Sequence, residues 1–227
     1  MKLISDIRVY RSEYESTMKK NPTSFASKEL NAILTRIVMK LRENNFSLAE
    51  DYDHLYLNFT YSLKKNEIKF GRRLEIKEFS WFQYCDVGIN REEYEQLSDR
   101  KHIPMIVDLL KQTLIKFYSK DSESKRIIEN CIEVALNEGE HMLMKFKEKK
   151  SSHKNAVIYL RCLDSGYFLP LLRVYNNNNE LILEKDLPET IDTNYIGEIL
   201  LNDIRIEIRA KKNVFTRDLK PIIYQLD

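Results

Sequence analysis

Glu138 and His141 form an E-x-x-H pair. On a helix, that spacing puts a carboxylate and an imidazole on one face, as in the metal sites of helix bundles. A di-metal site needs more carboxylates and a second such pair on a facing helix, and the sequence has no second pair. A solvated helix face accounts for Glu138 and His141, and no metal is expected. The other histidines, His54, His102 and His153, neighbour no cysteine at zinc spacing, and C-x-x-C does not occur. There is no G-x-S-x-G, no Walker loop and no G-x-G-x-x-G. Five glycines, spread singly, leave no loop to cradle phosphate, so no cofactor is expected either. Asp86 and Asp164 end strand-like stretches, where carboxylates serve some active sites but more often form turns. An enzyme built on this chain would need a dispersed site in which Asp86, His54 or Asp164 converge.

Composition narrows the classes further. The 227 residues carry 37 basic and 35 acidic side chains, a net charge of +2. A nucleic-acid binder normally shows a basic excess or stripe, so no nucleic-acid partner is expected. Hydrophobic residues at 43% and charged residues at 32% describe a folded chain. No run approaches the roughly 20 apolar residues of a membrane span. The opening "MKLISDIRVY" is broken by Ser5, Asp6 and Arg8 and has no signal-peptide core. Cys85, Cys131 and Cys162 sit among apolar neighbours, as buried thiols do in a reducing compartment. These features predict a cytoplasmic protein with no membrane contact.

The elements that would position any site alternate between helix and strand. Residues 3–10 read as a strand. Leu30, Ile33, Leu34, Ile37, Val38 and Leu41 recur at helical spacing, and Asn44-Asn45 ends that helix. Residues 55–63 alternate with period two, predicting an antiparallel strand with Tyr56, Asn58 and Thr60 on its wet face. Lys64, Lys65 and Asn66 then turn the chain back through Ile68 and Phe70, with Gly71 at a bulge or bend. Asn90 and Glu93 have the spacing of a capping box. A helix follows Pro104, and another follows Asp121 and runs to Phe146 with Gly139 weakening its middle. "KFKEKKSSHKN", 145–155, reads as a linker. Strands dominate the rest, with Pro170 implying an edge or bulge, "NNNN" a turn, and 192–202 a short helix. The expected class is α+β, mainly antiparallel sheet packed against three longer helices. The expected lobes are 1–120 and 121–227, or one continuous domain.

"FSWFQYCDVGI" interrupts this regularity. Phe79 and Trp81 fall on one parity, Phe82 and Tyr84 on the other. A central strand covered on both faces explains this. So does a partner surface, since Trp and Tyr dominate binding hot spots. The aromatic strand and the short acidic stretch "NREEYEQLSD" after it, set among helices and strands, resemble the immunity proteins of bacterial polymorphic toxin systems. That resemblance implies a bacterial cytoplasmic protein that binds a cognate toxin domain and blocks it without catalysis. Trp81 and Tyr84 would then anchor the partner, with Asp86 in a polar rim and Glu92, Glu93 and Glu95 steering it. The near-neutral charge departs from the acidic character expected of inhibitors of basic nucleases. The other readings are the dispersed-site enzyme and a self-associating subunit, an apolar strand pairing across a two-fold axis to give a homodimer.

Overall fold

The structure, a computed structural model, describes residues 2–16, 22–49, 51–71, 81–214 and 216–226. Two compact units divide the chain, Met1–Gly139 and Glu140–Asp227. The expected boundary after residue 120 falls between two helices of the first unit, whereas the units divide after the second of those helices.

The first unit is built on β1 (Asp6–Arg11), β2 (Thr23–Ser24), α1 (Lys28–Glu43), β3 (His54–Thr60), β4 (Ile68–Gly71), β5 (Phe82–Gly88), α2 (Arg91–Glu95), α3 (Ile103–Tyr118) and α4 (Ser122–Glu138). Ser27 caps α1 by accepting from the Leu30 N–H, and its apolar stripe is buried. Pro104 occupies the first turn of α3, where a missing N–H costs nothing. Asp121 and Ser124 close a reciprocal cap on α4, which packs against α1 and α3. The five strands lie in the order β2-β1-β3-β5-β4.

The centre of this sheet corrects one expectation. β3 is parallel to both β1 and β5, not antiparallel, and residues Leu55 to Thr60 are all buried. Alternation in the sequence predicts one wet face, but Tyr56, Asn58 and Thr60 are covered as well. The turn at Lys64–Asn66 forms, with Asn66 at φ 63° and the Glu67 N–H bonded to the Lys64 carbonyl. The returning strand β4 pairs with β5 rather than with β3. At Gly88 the Lys64 carbonyl oxygen lies 1.9 Å from where a Cβ would stand, so the turn closes directly onto backbone. The stretch from Arg72 to Ser80, including Phe79, lies outside the described residues.

The second unit holds β6 (Met144–Lys150), β7 (Lys154–Cys162), β8 (Phe168–Asn176) and β9 (Leu181–Asp186) in one antiparallel sheet. A smaller sheet contains β10 (Glu198–Leu201), β11 (Arg205–Arg209) and β12 (Ile222–Gln225). Three expectations change here. The lysine-rich 145–155 segment is strand β6 and its turn, not a linker. It is polar because it is an edge strand, with Glu148 paired to Lys145 at 2.6 Å and bonded by Asn155 at 2.9 Å. The long helix stops at Glu138, because Gly139 turns to φ 53°. Residues 192–202 form a 3₁₀ turn at Thr193–Tyr195 followed by β10 rather than one helix. Pro170 sits on an inner strand, beyond the end of β9. Its carbonyl accepts from the Leu187 N–H, so its missing donor faces a side where the ladder has ended at Asp186. Asn179, at φ 60°, makes the turn expected from the asparagine run.

Seven of the nine strand pairings among the described residues are antiparallel. The chain is α+β with mostly antiparallel sheet, and its three long helices all belong to the first unit. Among the described residues no helix is long and apolar enough to cross a membrane.

Candidate functional site: the helix-free face of the first sheet

Parallel register lines up side chains across β1, β3 and β5. Leu55, Leu57, Phe59, Cys85 and Val87 point one way and are wholly buried. The helices cover that side. Phe25, just before α1, meets Phe59 edge-on at 5.8 Å, and Phe117 of α3 stacks on Phe70 at 4.0 Å.

The opposite parity forms three rows: Asp6–His54–Phe82, Arg8–Tyr56–Tyr84 and Tyr10–Asn58–Asp86. The first two rows are an aromatic cluster. Tyr56 lies 4.6 Å from Phe82, 5.4 Å from Tyr84 and 5.5 Å from Tyr10, ring centre to ring centre. His54 sits 4.8 Å from Phe82, and Trp81 lies 5.7 Å from Phe82. The Arg8 guanidinium stands over the Tyr56 ring at 5.6 Å. Asp53 holds the His54 Nδ1 at 2.5 Å. Burial pushes the Tyr56 hydroxyl up to about 12. The ring contacts that build this cluster come from β1, β3, β5 and the residue just before β5. Tyr10, His54, Trp81 and Phe82 are half-buried, whereas Tyr56 and Tyr84 are buried.

Beyond Tyr10, the third row is polar and sealed at Asn58 and Asp86. Asp86 is 0% exposed and Asn58 2%. The segment Ser12–Ser16, leaving β1, folds across them as a strap. The Ser16 N–H donates to Asp86 Oδ1 at 2.8 Å, and the Ser16 hydroxyl meets Oδ2 at 2.9 Å. The Asn58 amide donates to the same carboxyl at 2.8 Å and to the Tyr14 carbonyl at 3.0 Å. Among the described residues the Asn58 Oδ1 has no hydrogen-bond partner. Gly71 makes room, since a Cβ there would stand 1.8 Å from the Ser16 hydroxyl oxygen. Burial raises the Asp86 pKa above its ordinary value, and the three donors pull it only part of the way back.

The expected anchor and steering residues are therefore divided. Trp81, half-buried, immediately precedes β5, Tyr84 and Asp86 are buried within it, and the acidic residues follow its far end. The seven residues of β5 separate Trp81 from the acidic residues, about 23 Å at 3.3 Å per residue. Glu93 has structural duties, closing the capping box with Asn90 and pairing with Lys65 at 2.5 Å. Burial opposes its ionisation, but the bonds from Lys65 and the Asn90 N–H hold its carboxyl below the ordinary value. Glu92 and Glu95 are exposed, and Glu95 meets Arg91 at 3.4 Å. Tyr10, His54 and Tyr56 complete the aromatic face and were missed. The signal for Tyr56 is the period-two parity of 55–63, which predicts it on a wet face.

For a dispersed active site the geometry offers little. The Tyr56–Tyr84 row separates His54 from Asp86. Burial and the neighbouring Asp86 push the Cys85 thiol up to about 12, which leaves it a poor nucleophile at neutral pH. Glu138 ends its helix before Gly139, so it does not share a helix face with His141.

The chain matches no protein-family model, no curated protein and no solved structure. The reading of this site rests on its own geometry.

Proposed function

We propose that this chain is a non-catalytic binding protein that takes a protein partner on the half-buried aromatic half of this sheet face. The observation that carries this reading is the half-buried Phe82, His54 and Tyr10 around Tyr56, with half-buried Trp81 against Phe82 just before β5, all set on three parallel strands. Large rings held by a sheet lose little freedom on binding and bury much area, which is how interface anchors act. In keeping with the resemblance to immunity proteins, the partner is a bacterial toxin domain, met in a reducing cytoplasm that keeps the three buried cysteines as thiols. Glu92 and Glu95, exposed beyond the carboxyl end of β5, add a steering field for a basic margin on that domain.

Co-expression with the product of the adjacent gene tests the proposal. Rescue of growth together with a stoichiometric complex supports it, and absence of both rejects it. Trp81→Ala is expected to weaken the complex by about 2 kcal/mol, roughly thirtyfold, with a melting temperature close to that of the parent. Isothermal titration and a thermal melt read both quantities. A folded variant with undiminished affinity would remove Trp81 from the interface. Tyr84, being buried, acts through the fold and is a poor probe of contact.

A further inference from the structure

We propose that the Ser12–Ser16 strap is a latch over the carboxyl half of the helix-free face, shut while Asp86 is protonated and released when that carboxyl ionises. The strap runs across β3 and β5 on three sets of bonds. The Ser12 N–H donates to the Phe59 carbonyl at 3.1 Å, Asn58 donates to the Tyr14 carbonyl, and Ser16 meets Asp86 twice. The last set joins the end of the described strap to a carboxyl with no exposed surface.

What decides the sign is the company Asp86 keeps. Its donors are a peptide N–H, a hydroxyl and an amide, all neutral. The nearest cation by register is Lys69, directly across on β4, and its ammonium is held by Glu15 of the strap at 2.6 Å. Glu15 and, beyond it, Glu67 add negative charge around the same lysine. From β3 and β5 the neighbours on this face are Tyr56, Asn58 and Tyr84, none of them cationic at neutral pH. Glu13 of the strap is directed instead to Tyr61. An ionised Asp86 is thus a buried charge without a counter-charge of its own, which is costly. In the protonated form its hydroxyl can donate to the Ser16 Oγ, 2.9 Å away. Ionisation therefore favours whichever arrangement lets water reach the carboxylate. The raised pKa of Asp86 agrees with that direction. Lifting the strap would also bare Asn58, whose unpartnered Oδ1 gains a solvent bond. The opened surface would extend the aromatic half toward the ends of β3 and β5, so the latch regulates the face proposed above as the partner site. Its test uses the free full-length chain, so that its failure is separate from failure of the partner reading.

Amide hydrogen exchange across a pH series measures the latch. After correction for intrinsic exchange, protection of the Ser16 N–H should fall as pH rises. The fall should approach tenfold per unit between the ordinary aspartate pKa of about 3.9 and the raised one, and level off beyond both. Asp86→Asn, neutral at every pH, should give a flat profile. Ser16→Ala removes the hydroxyl but keeps the N–H, so it should lower protection throughout and keep the slope. The midpoint of the fall should coincide with the titration of the Asp86 carboxyl carbon followed by NMR in the parent chain. Protection that stays level or rises with pH in the parent overturns the proposal, as does an unchanged slope in Asp86→Asn. If Asp86→Asn does not fold, the two midpoints in the parent decide, and a mismatch overturns it.

Discussion

Phe59→Ala is expected to remove about 3–5 kcal/mol of stability, the range for truncating a buried aromatic. Phe59 is 0% exposed and lies on the helix side of β3, edge-on to Phe25. β3 is hydrogen-bonded to β1 on one side and β5 on the other, and its Phe59 carbonyl also accepts from Ser12. With its backbone held on both edges, the strand has little freedom to collapse into the space left behind. Collapse is what makes some truncations mild, so the cost belongs in the upper part of the range. Urea denaturation checks this through a lowered midpoint at unchanged slope. A loss below about 1 kcal/mol would be incompatible with a packed site of this kind.

Asp86→Ala is the second large effect, about 3 kcal/mol or more. It deletes the acceptor for the Ser16 N–H and the Asn58 amide together, and each orphaned buried donor costs about 1–3 kcal/mol. Asp86→Asn keeps an acceptor oxygen and the volume, so it should be mild and should change the pH profile instead. The native pKa of Asp86 is raised above its ordinary 3.8. A carboxyl with a raised native pKa binds its proton more tightly folded than unfolded. Its contribution is fully present below 3.8 and is lost as pH climbs through the raised value. Relative to Asp86→Asn, the parent should therefore lose stability with rising pH across that window and not beyond it. Denaturation curves of both proteins from pH 4 to pH 8 give the difference directly. A parent that gains stability over Asp86→Asn across the window would show that the three donors outweigh burial.

Much of the fold could be read before the structure, where short-range chemistry decides. The Asn90–Glu93 capping box, the Asp121 cap, the Asn66 and Asn179 turns and the stripe of α1 each depend on residues a few positions apart. Partner choice between strands is a longer-range matter. Period two over 55–63 holds as far as Thr60, where β3 ends, but alternation does not say whether the second parity meets water or protein, and Tyr56 and Asn58 meet protein. The lysines of β6 looked like a linker because an edge strand needs only half an apolar face. The same division runs through the candidate site. Trp81 and Phe82 stood out by type alone. Tyr10, His54 and Tyr56 joined them only through parallel register, set by pairing across β1 and β3 that no local pattern encodes. Asp86 drew attention as a strand-end carboxylate, whereas its role depends on Ser16, seventy positions away.

The two units also differ in how far the chain must search to assemble them. Every ladder in the second unit joins consecutive strands, so each can zip outward from its own turn. In the first unit β1 must find β3 across the whole of α1, pairing Asp6 with His54, and β3 must find β5 past β4. Closing longer loops costs more entropy before any contact rewards it, and non-local pairing slows folding. On refolding from denaturant, amides of β7 and β8 should thus gain protection in pulse-labelled exchange before those of β3. Earlier protection in β3 would contradict this. During synthesis the order of emergence runs the opposite way, the slow-pairing half leaving the ribosome first. Its parallel centre is incomplete until β5 has emerged, so the segments that will form the aromatic face spend that interval unpaired, at the stage when exposed apolar strands are most prone to aggregate.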